Sequence, residues 1–321
     1  MRIRSFAKIN LGLEVLGKRA DGYHDIRTLF QWISLHDTLS FDVLEAPEIR
    51  LSGDDPEIPW DETNLVYRAA RLLRERSGAR LGAAIRVEKR IPAGSGLAGG
   101  SGDAAMTLFA LNALWGCGLP QEELKGLGAA LGSDVAYFLE GGLCLGEGRG
   151  ERLTLLPDLP ELPLVLAFPG FPVPTARIYA GLPISSLTSE PGDSRINGFL
   201  ETREFGFLEN QLEDTIFSLY PQVQEYKSLF REHGAELSLV TGSGSAVYGL
   251  FRDRETAGRC LAAMRTRGAA VGAVTMSRAG GWNALDAGAS PSGKAADFGS
   301  AIRGFESSRP SFWHRDRMKD E

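Results

Sequence analysis

Apolar and polar side chains alternate in short runs through the first fifty residues, at the period-two spacing of half-buried strands. The spacing predicts strands near residues 2–8, 11–17, 26–34, 37–44 and 48–52, with Asp21-Gly22 as a turn between the second and third. At 64–77 (NLVYRAARLLRERS) the apolar residues recur at helical spacing instead, with Thr63 as the expected N-cap and Gly78 as the stop. A strand near 83–90 then leads into a glycine-rich segment, helices over about 101–115 and 120–131, and strands near 141–147 and 151–156. Pro157, Pro160 and Pro163 punctuate the chain and suggest two halves, 1–158 and 159–285. The second half opens with the apolar strand LPLVLAFP. A loop rich in Ser, Pro and Gly over 184–198 is expected to be exposed. Helices near 221–232 and 255–266 alternate with strands near 236–240, 245–251 and 270–277. Beyond Asp286 apolar residues thin out, so 286–321 is expected to be a disordered or loosely packed tail. No internal repeat is visible.

Composition narrows the function classes. At 321 residues the chain is long enough for two ordinary domains, and 43% hydrophobic residues can fill their cores. A net charge of −6 argues against a nucleic-acid partner, which would call for a basic face. It does not argue against a nucleotide, because a few backbone N–H groups and one lysine suffice for a phosphate. Cys117, Cys144 and Cys260 lie far apart with no CxxC, so neither a disulfide framework nor a zinc site is expected. No stretch reaches the roughly 18 consecutive apolar residues of a membrane span, and the N-terminus lacks a signal-peptide pattern. A cytoplasmic, reducing setting with no membrane partner follows as an expectation. Nothing in the pattern bears on oligomeric state.

The chemistry concentrates between Ile91 and Ala105. Five glycines fall in the nine positions 94–102, just before a helix. Such a backbone can approach a ligand closely, and its free N–H groups converge with the helix dipole on an anion. A P-loop would need GxxxxGK followed by Ser or Thr, and no lysine follows these glycines. Gly94-Ser95-Gly96-Leu97-Ala98-Gly99 does match GxGxxG. A dinucleotide unit, however, needs a second strand after the helix, ending in an acid about 20 residues on. Here the helix leads through Trp115-Gly116-Cys117-Gly118 into another helix.

The same segment resembles the central signature of the GHMP kinase superfamily, a proline followed by G-L, a small residue, G-G-S and a closing D-A-A. Ala7-Lys8-Ile9-Asn10-Leu11-Gly12-Leu13 resembles the first family motif, and Leu239 to Gly249, through Thr241-Gly242-Ser243-Gly244, the third. Gly102 stands where a second Ser is usual and Thr241 where Ser is usual; both are small, so the loop geometry should survive. The resemblance covers about residues 1–285. It implies a two-domain α+β/α/β fold with mixed sheets, helices packed on them and the active site in the interdomain cleft. The implied activity is transfer of the γ-phosphate of ATP, with Mg²⁺, to a small-molecule hydroxyl. Three further segments narrow the resemblance: Arg19-Ala20-Asp21-Gly22-Tyr23-His24, Leu131-Gly132-Ser133-Asp134-Val135 and Asn210-Gln211-Leu212-Glu213. They point to the branch whose acceptor is the 2-hydroxyl of 4-diphosphocytidyl-2-C-methyl-D-erythritol. The alternatives are a family member acting on homoserine, mevalonate or a sugar, or a silent nucleotide-binding module.

Roles for single residues follow from the resemblance beside their own chemistry. Asp134 is either the cap of a following short helix or, as the resemblance implies, the base for the hydroxyl proton. Lys8, in an apolar run, is implied beside it, holding the aspartate ionised. Asn10 shares the face of Lys8 by strand alternation and could orient the substrate. ATP would be bound by Pro92, Ala93, Gly94, Ser95, Gly96, Leu97, Ala98, Gly99, Gly100, Ser101 and Gly102, with Asn64 near the adenine or capping its helix. Tyr23 offers a stacking face and His24 a donor and an acceptor to the cytosine edge. Thr175 and Tyr179 resemble the segment that brings a second aromatic over the base. Thr241, Gly242 and Ser243 form a second glycine turn at the substrate or phosphate pocket. No protein cage for a metal is visible.

Overall fold

The computed structural model describes residues 1–183 and 194–286. The tail beyond Asp286 and residues 184–193 of the expected loop lie outside the described residues. The alternating first third folds into fewer, longer strands than its pattern suggested: β1 (Arg2–Lys18) and β2 (His24–Leu44) each run unbroken where two were expected. They pair antiparallel, with register shifts between Phe6 and Ala7, Asn10 and Gly12, and Val15 and Gly17. Each irregularity bends the ribbon without ending it, so the alternation breaks where the pairing continues.

The first half continues with β3 (Ile49–Gly53), α1 (Leu65–Ser77), β4 (Gly82–Glu88), α2 (Gly99–Leu114), α3 (Gln121–Leu131), α4 (Val135–Phe138), β5 (Leu143–Gly148) and β6 (Arg152–Leu155). Six strands form one sheet in the order β3-β4-β2-β5-β6, with β1 on β2; only β3 and β4 run parallel. One edge of β2 carries both β5, from Ile26 to Gln31, and β4, from Thr38 to Leu44. In the gap between them Asp37 accepts the backbone N–H groups of Arg90 and Ile91, so the chain leaving β4 is tied down just before the glycine loop.

Helix starts differ from expectation by a residue or two. Asn64, not Thr63, caps α1: its Oδ1 accepts the N–H of Val66 at 2.9 Å, while the Thr63 hydroxyl turns back to Asp61. Gly78 closes that helix in the left-handed conformation (φ 71°), as expected. α2 starts at Gly99, two residues early, and is buried along most of its length, with Ala104, Ala105, Leu108, Phe109 and Leu111 in the core. A helix apolar on all sides belongs in the middle of a layer.

The second half comprises β7 (Pro163–Phe168), α5 (Thr175–Ala180), α6 (Arg195–Thr202), α7 (Glu213–Leu219), α8 (Pro221–Glu232), β8 (Leu237–Val240), β9 (Val247–Leu250), α9 (Arg254–Arg265), β10 (Ala269–Val274) and α10 (Arg278–Asn283). Its four strands form an antiparallel sheet, β10-β7-β9-β8. Residues 195–198, expected in an exposed loop, instead open α6 and bury Ile196.

Strand alternation explains how the layers meet. Leu164 and Leu166 of β7 face Ala7, Ile9, Leu11 and Leu29 of the first sheet in a shared core, with Leu239 and Tyr248. Val165 and Ala167 point the other way, onto Val223 and Phe230 of α8 and Cys260 and Met264 of α9. A third cluster joins the outer face of the first sheet to α1, α2 and α3. No helix among the described residues is long and apolar enough to cross a membrane.

Candidate active site

A cleft of about 1040 Å³ is lined by β1, the start of β2, the glycine loop, the start of α4, α5 and the turn at Gly242-Ser243. Its floor is the glycine loop, whose path requires unusual backbone: Gly94 (φ 64°), Gly96 (φ 84°) and Ala98 (φ 57°) are left-handed. At Gly96 no side chain fits, because a Cβ would lie 2.3 Å from the Thr241 carbonyl oxygen. Ala98 gives α2 no side-chain cap. Gly100 has open space where a Cβ would be, and lines the cleft with Gly99 and Ser101. The unpaired first-turn N–H groups of a long helix therefore meet the cleft, which suits an anionic group.

Beside the loop, Lys8 sits in mid-strand and is only 3% exposed. Its ammonium donates to Asn10 Oδ1 at 2.7 Å and to the Gly96 carbonyl at 2.8 Å, and Asp134 Oδ2 stands 3.6 Å away. Burial pushes the Lys8 amine below its ordinary value, while Asp134 partly offsets that and favours the charge. Asp134 holds the N-cap position of α4 but makes no side-chain capping bond, so its carboxylate is left to the cleft. That resolves the choice between cap and cleft left open by the sequence. Asn10 is held in turn: its Nδ2 donates to Thr28 Oγ1 at 2.8 Å, and Thr28 donates to the Gly12 carbonyl at 2.7 Å.

The second glycine turn presses on the same group. A Cβ at Gly242 (φ 57°) would lie 3.1 Å from Asn10 Oδ1 and 3.7 Å from Lys8 Nζ. Asn210 pins the turn through two bonds from Nδ2, to the carbonyls of Val240 (2.8 Å) and Gly242 (2.7 Å). Glu213 accepts the Val240 N–H at 2.8 Å, so the Asn210–Glu213 segment braces the turn from behind.

At the far end, His24 stacks on Tyr179 of α5 with centroids 5.0 Å apart and an interplanar angle of 30°. Burial first, then the Lys18 charge, lowers the His24 pKa, so the ring is neutral at pH 7 and presents one donor and one acceptor. Burial, with Asp134 adding to it, pushes the Tyr179 phenol up. Tyr23 is exposed on the cleft wall, and Thr175 Oγ1 lies 2.7 Å from Ser243 Oγ, linking α5 to the second turn.

Residues 64–142 match the model for the GHMP kinases N terminal domain, and residues 200–270 that for GHMP kinases C terminal. A protein of Pelotomaculum thermopropionicum named 4-diphosphocytidyl-2-C-methyl-D-erythritol kinase is 44% identical over 263 residues, 81% of this chain and 92% of that one. The chain belongs to the GHMP kinase family. As such it is an ATP-dependent small-molecule kinase. A crystal structure of 4-(cytidine 5'-diphospho)-2C-methyl-D-erythritol kinase superposes with a TM-score of 0.75 at 37% identity, covering 86% of this chain and 99% of that one. Homoserine kinase from Cytophaga hutchinsonii, at 19% identity, TM-score 0.69 and coverage of 88% and 96%, shares the fold.

Most of the expected site residues of this GHMP kinase meet in the one cleft: Lys8, Asn10, Tyr23, His24, Asn64, Asp134, Thr175, Tyr179, Gly242, Ser243 and the loop positions Pro92, Ala93, Gly94, Ser95, Gly96, Ala98, Gly99, Gly100 and Ser101. Three are turned away from it. Leu97 is fully buried in the core between the sheets, because its neighbours direct their backbone, not its side chain, to the cleft. Gly102 lies against β1, where a Cβ would come within 2.8 Å of Ser5 Oγ and 3.2 Å of the Phe6 carbonyl; a second serine there would need β1 to give way. Thr241 is buried behind the loop, its Oγ1 accepting the Asn10 N–H at 3.1 Å. The Asn64 side chain is committed to its cap and, through Nδ2, to the Pro59 carbonyl at 2.9 Å, while still edging the cleft.

Sequence reasoning missed the apolar wall of Ile58, Trp60, Leu65 and Val66, and the ion cluster under the loop. There Lys89 donates to Asp37 and, at 2.9 Å, to Asp103, all three being buried. Burial opposes the Lys89 charge, but Asp103 and Asp37 outweigh it and raise its pKa. Burial, with Asp37 adding to it, pushes Asp103 up to about 7 against the pull of Lys89. The one available signal was Asp37, an acid inside an apolar strand pattern.

Proposed function

We propose that this chain transfers the γ-phosphate of ATP to the 2-hydroxyl of 4-diphosphocytidyl-2-C-methyl-D-erythritol. The observation that carries the reading is the placement of the Lys8–Asp134 pair, 3.6 Å apart, between the glycine loop and the Tyr23–His24–Tyr179 end of the cleft. Relatives named for that substrate support the choice of acceptor. In this reading residues 1–158 form the nucleotide-binding half and 159–285 the half that closes over the acceptor.

Phosphoryl transfer asks a protein chiefly for positioning and charge neutralisation. The loop N–H groups and the start of α2 hold the phosphates of ATP, with Asn64 and the Trp60 wall toward the adenine. Asp134 accepts the proton of the 2-hydroxyl as its oxygen bonds to the γ-phosphorus and the bond to the departing ADP oxygen breaks. Lys8, 3.6 Å from Asp134, stabilises negative charge as it develops. Neutral His24 reads the cytosine edge, and Tyr23 and Tyr179 supply aromatic faces. Mg²⁺, a hard cation that neutralises phosphate charge when bound, would take phosphate oxygens and water, with Asp134 and Ser101 among the oxygen-bearing side chains that line the cleft.

The test is ADP release with ATP and Mg²⁺, comparing the cytidyl acceptor with homoserine and mevalonate. Turnover confined to the cytidyl acceptor is expected. Turnover with homoserine or mevalonate alone would sink the acceptor and keep the kinase.

A further inference from the structure

Among the described residues four cations line the cleft, and two of them are already committed. Lys8 faces Asp134, and Lys89 lies between Asp37 and Asp103. The remaining two, Lys18 and Arg149, line the end that carries Tyr23 and His24. Asp21, the carboxylate on that wall, is held by Arg19 at 3.1 Å and also feels the Arg149 charge.

Arg149 stands in the tight turn between β5 and β6, flanked by Gly148 (φ 72°) and Gly150 (φ 106°). Its backbone N–H donates to Glu151 Oε2 at 2.7 Å, which fixes the turn. Its guanidinium carbon lies 5.1 Å from the Tyr23 ring centroid. Glu151 approaches only Nε, at 3.9 Å, and the terminal nitrogens make no hydrogen bond among the described residues. A guanidinium stacked on a ring keeps its in-plane donors directed outward, the arrangement that grips phosphate oxygens in a fork.

We propose that Arg149, assisted by Lys18, is a specificity residue that binds the diphosphate of the acceptor. This rests on the cytidyl acceptor proposed above. An acceptor without phosphates, such as homoserine, would gain nothing from these two charges. ATP would gain nothing either, because its phosphates lie at the glycine loop. Arg149 acts on binding of one substrate, not on the transfer step.

The experiment compares competitive inhibition by CDP and by cytidine, against the cytidyl acceptor, for wild type, Arg149→Met and Arg149→Lys. In wild type CDP should inhibit more tightly than cytidine. Arg149→Met should shrink that advantage about tenfold, the worth of one charged hydrogen-bonded contact, with cytidine inhibition and the KM for ATP unmoved. Arg149→Lys should recover part of the advantage. An equal loss for CDP and cytidine would overturn the proposal, because the guanidinium would then only support the Tyr23 ring. No loss for either would overturn it as well. Failure of wild type to use the cytidyl acceptor at all would instead overturn the acceptor, a result read separately from any variant.

Discussion

Two buried lysines flank the same glycine loop and line the same cleft, yet their surroundings set them to opposite tasks. Lys8 has one carboxylate before it, Asp134 at 3.6 Å, and otherwise rests on neutral oxygens of Asn10 and Gly96. Lys89 is gripped by two carboxylates, Asp37 and Asp103. Burial lowers the first pKa; at the second, the two carboxylates outweigh burial and raise it. Burial alone therefore does not mark a functional lysine. The lysine with a single carboxylate before it keeps charge to spare for a ligand, and the one between two carboxylates is neutralised, with Asp37 also holding the backbone that leads into the loop.

The largest effect should come from breaking the saturated cluster. Asp37→Ala leaves Lys89 with Asp103 as its one carboxylate and removes the acceptor of two buried backbone N–H groups at the start of the loop, so a loss of about 3–5 kcal/mol is expected. Urea unfolding reads it, and a loss below about 1 kcal/mol would show the cluster to be dispensable. Next, Lys8→Met should lower kcat by roughly 10²–10³ without a matching loss of stability. The lowered pKa means that the unfolded state binds more protons between the folded value and the ordinary 10.5. Wild-type stability should therefore gain as pH rises toward 10.5 through that window, and Lys8→Met should lose the gain. A variant that simply unfolds would erase the distinction between the two lysines.

A smaller effect sharpens the comparison. A carboxyl raised to about 7 contributes stability that is present below the ordinary 3.8 and lost as pH rises through 7. Asp103→Asn should flatten the fall of stability between those limits, as read by thermal melts across pH. An unchanged slope would place the titration elsewhere. The smallest concerns His24, whose lowered pKa keeps it neutral at pH 7. KM for the acceptor should stay level from neutral pH down to the ordinary 6.5 and rise only below it, and a rise beginning near pH 7 would contradict a neutral reader.

Much of this was legible before the fold. The loop, Lys8, Asn10 and Asp134 lie in short local patterns, and α1, α3, α8 and α9 are long enough to show a helical period. α4, α5, α7 and α10 have four to seven residues, too few for a period to emerge; α4 was suggested only by Asp134 as a possible cap, and the other three were invisible. The bulges of β1 hid one strand as two, since a register shift and a strand end both break alternation. The cluster of Asp37, Lys89 and Asp103 was out of reach for another reason: Asp37 stood out as an acid in an apolar pattern, but the meeting of the three depends on the gap in the edge of β2, a tertiary feature. The side-chain directions of Leu97 and Thr241 likewise follow from packing between the two sheets.

The most direct test is kcat of Asp134→Asn with ATP, Mg²⁺ and the cytidyl acceptor, in a variant whose urea midpoint matches wild type. The account predicts a fall of about 10²–10⁴, the worth of a general base. A kcat within about threefold of wild type would mean that Asp134 takes no proton, and that Lys8 faces it for structural reasons alone.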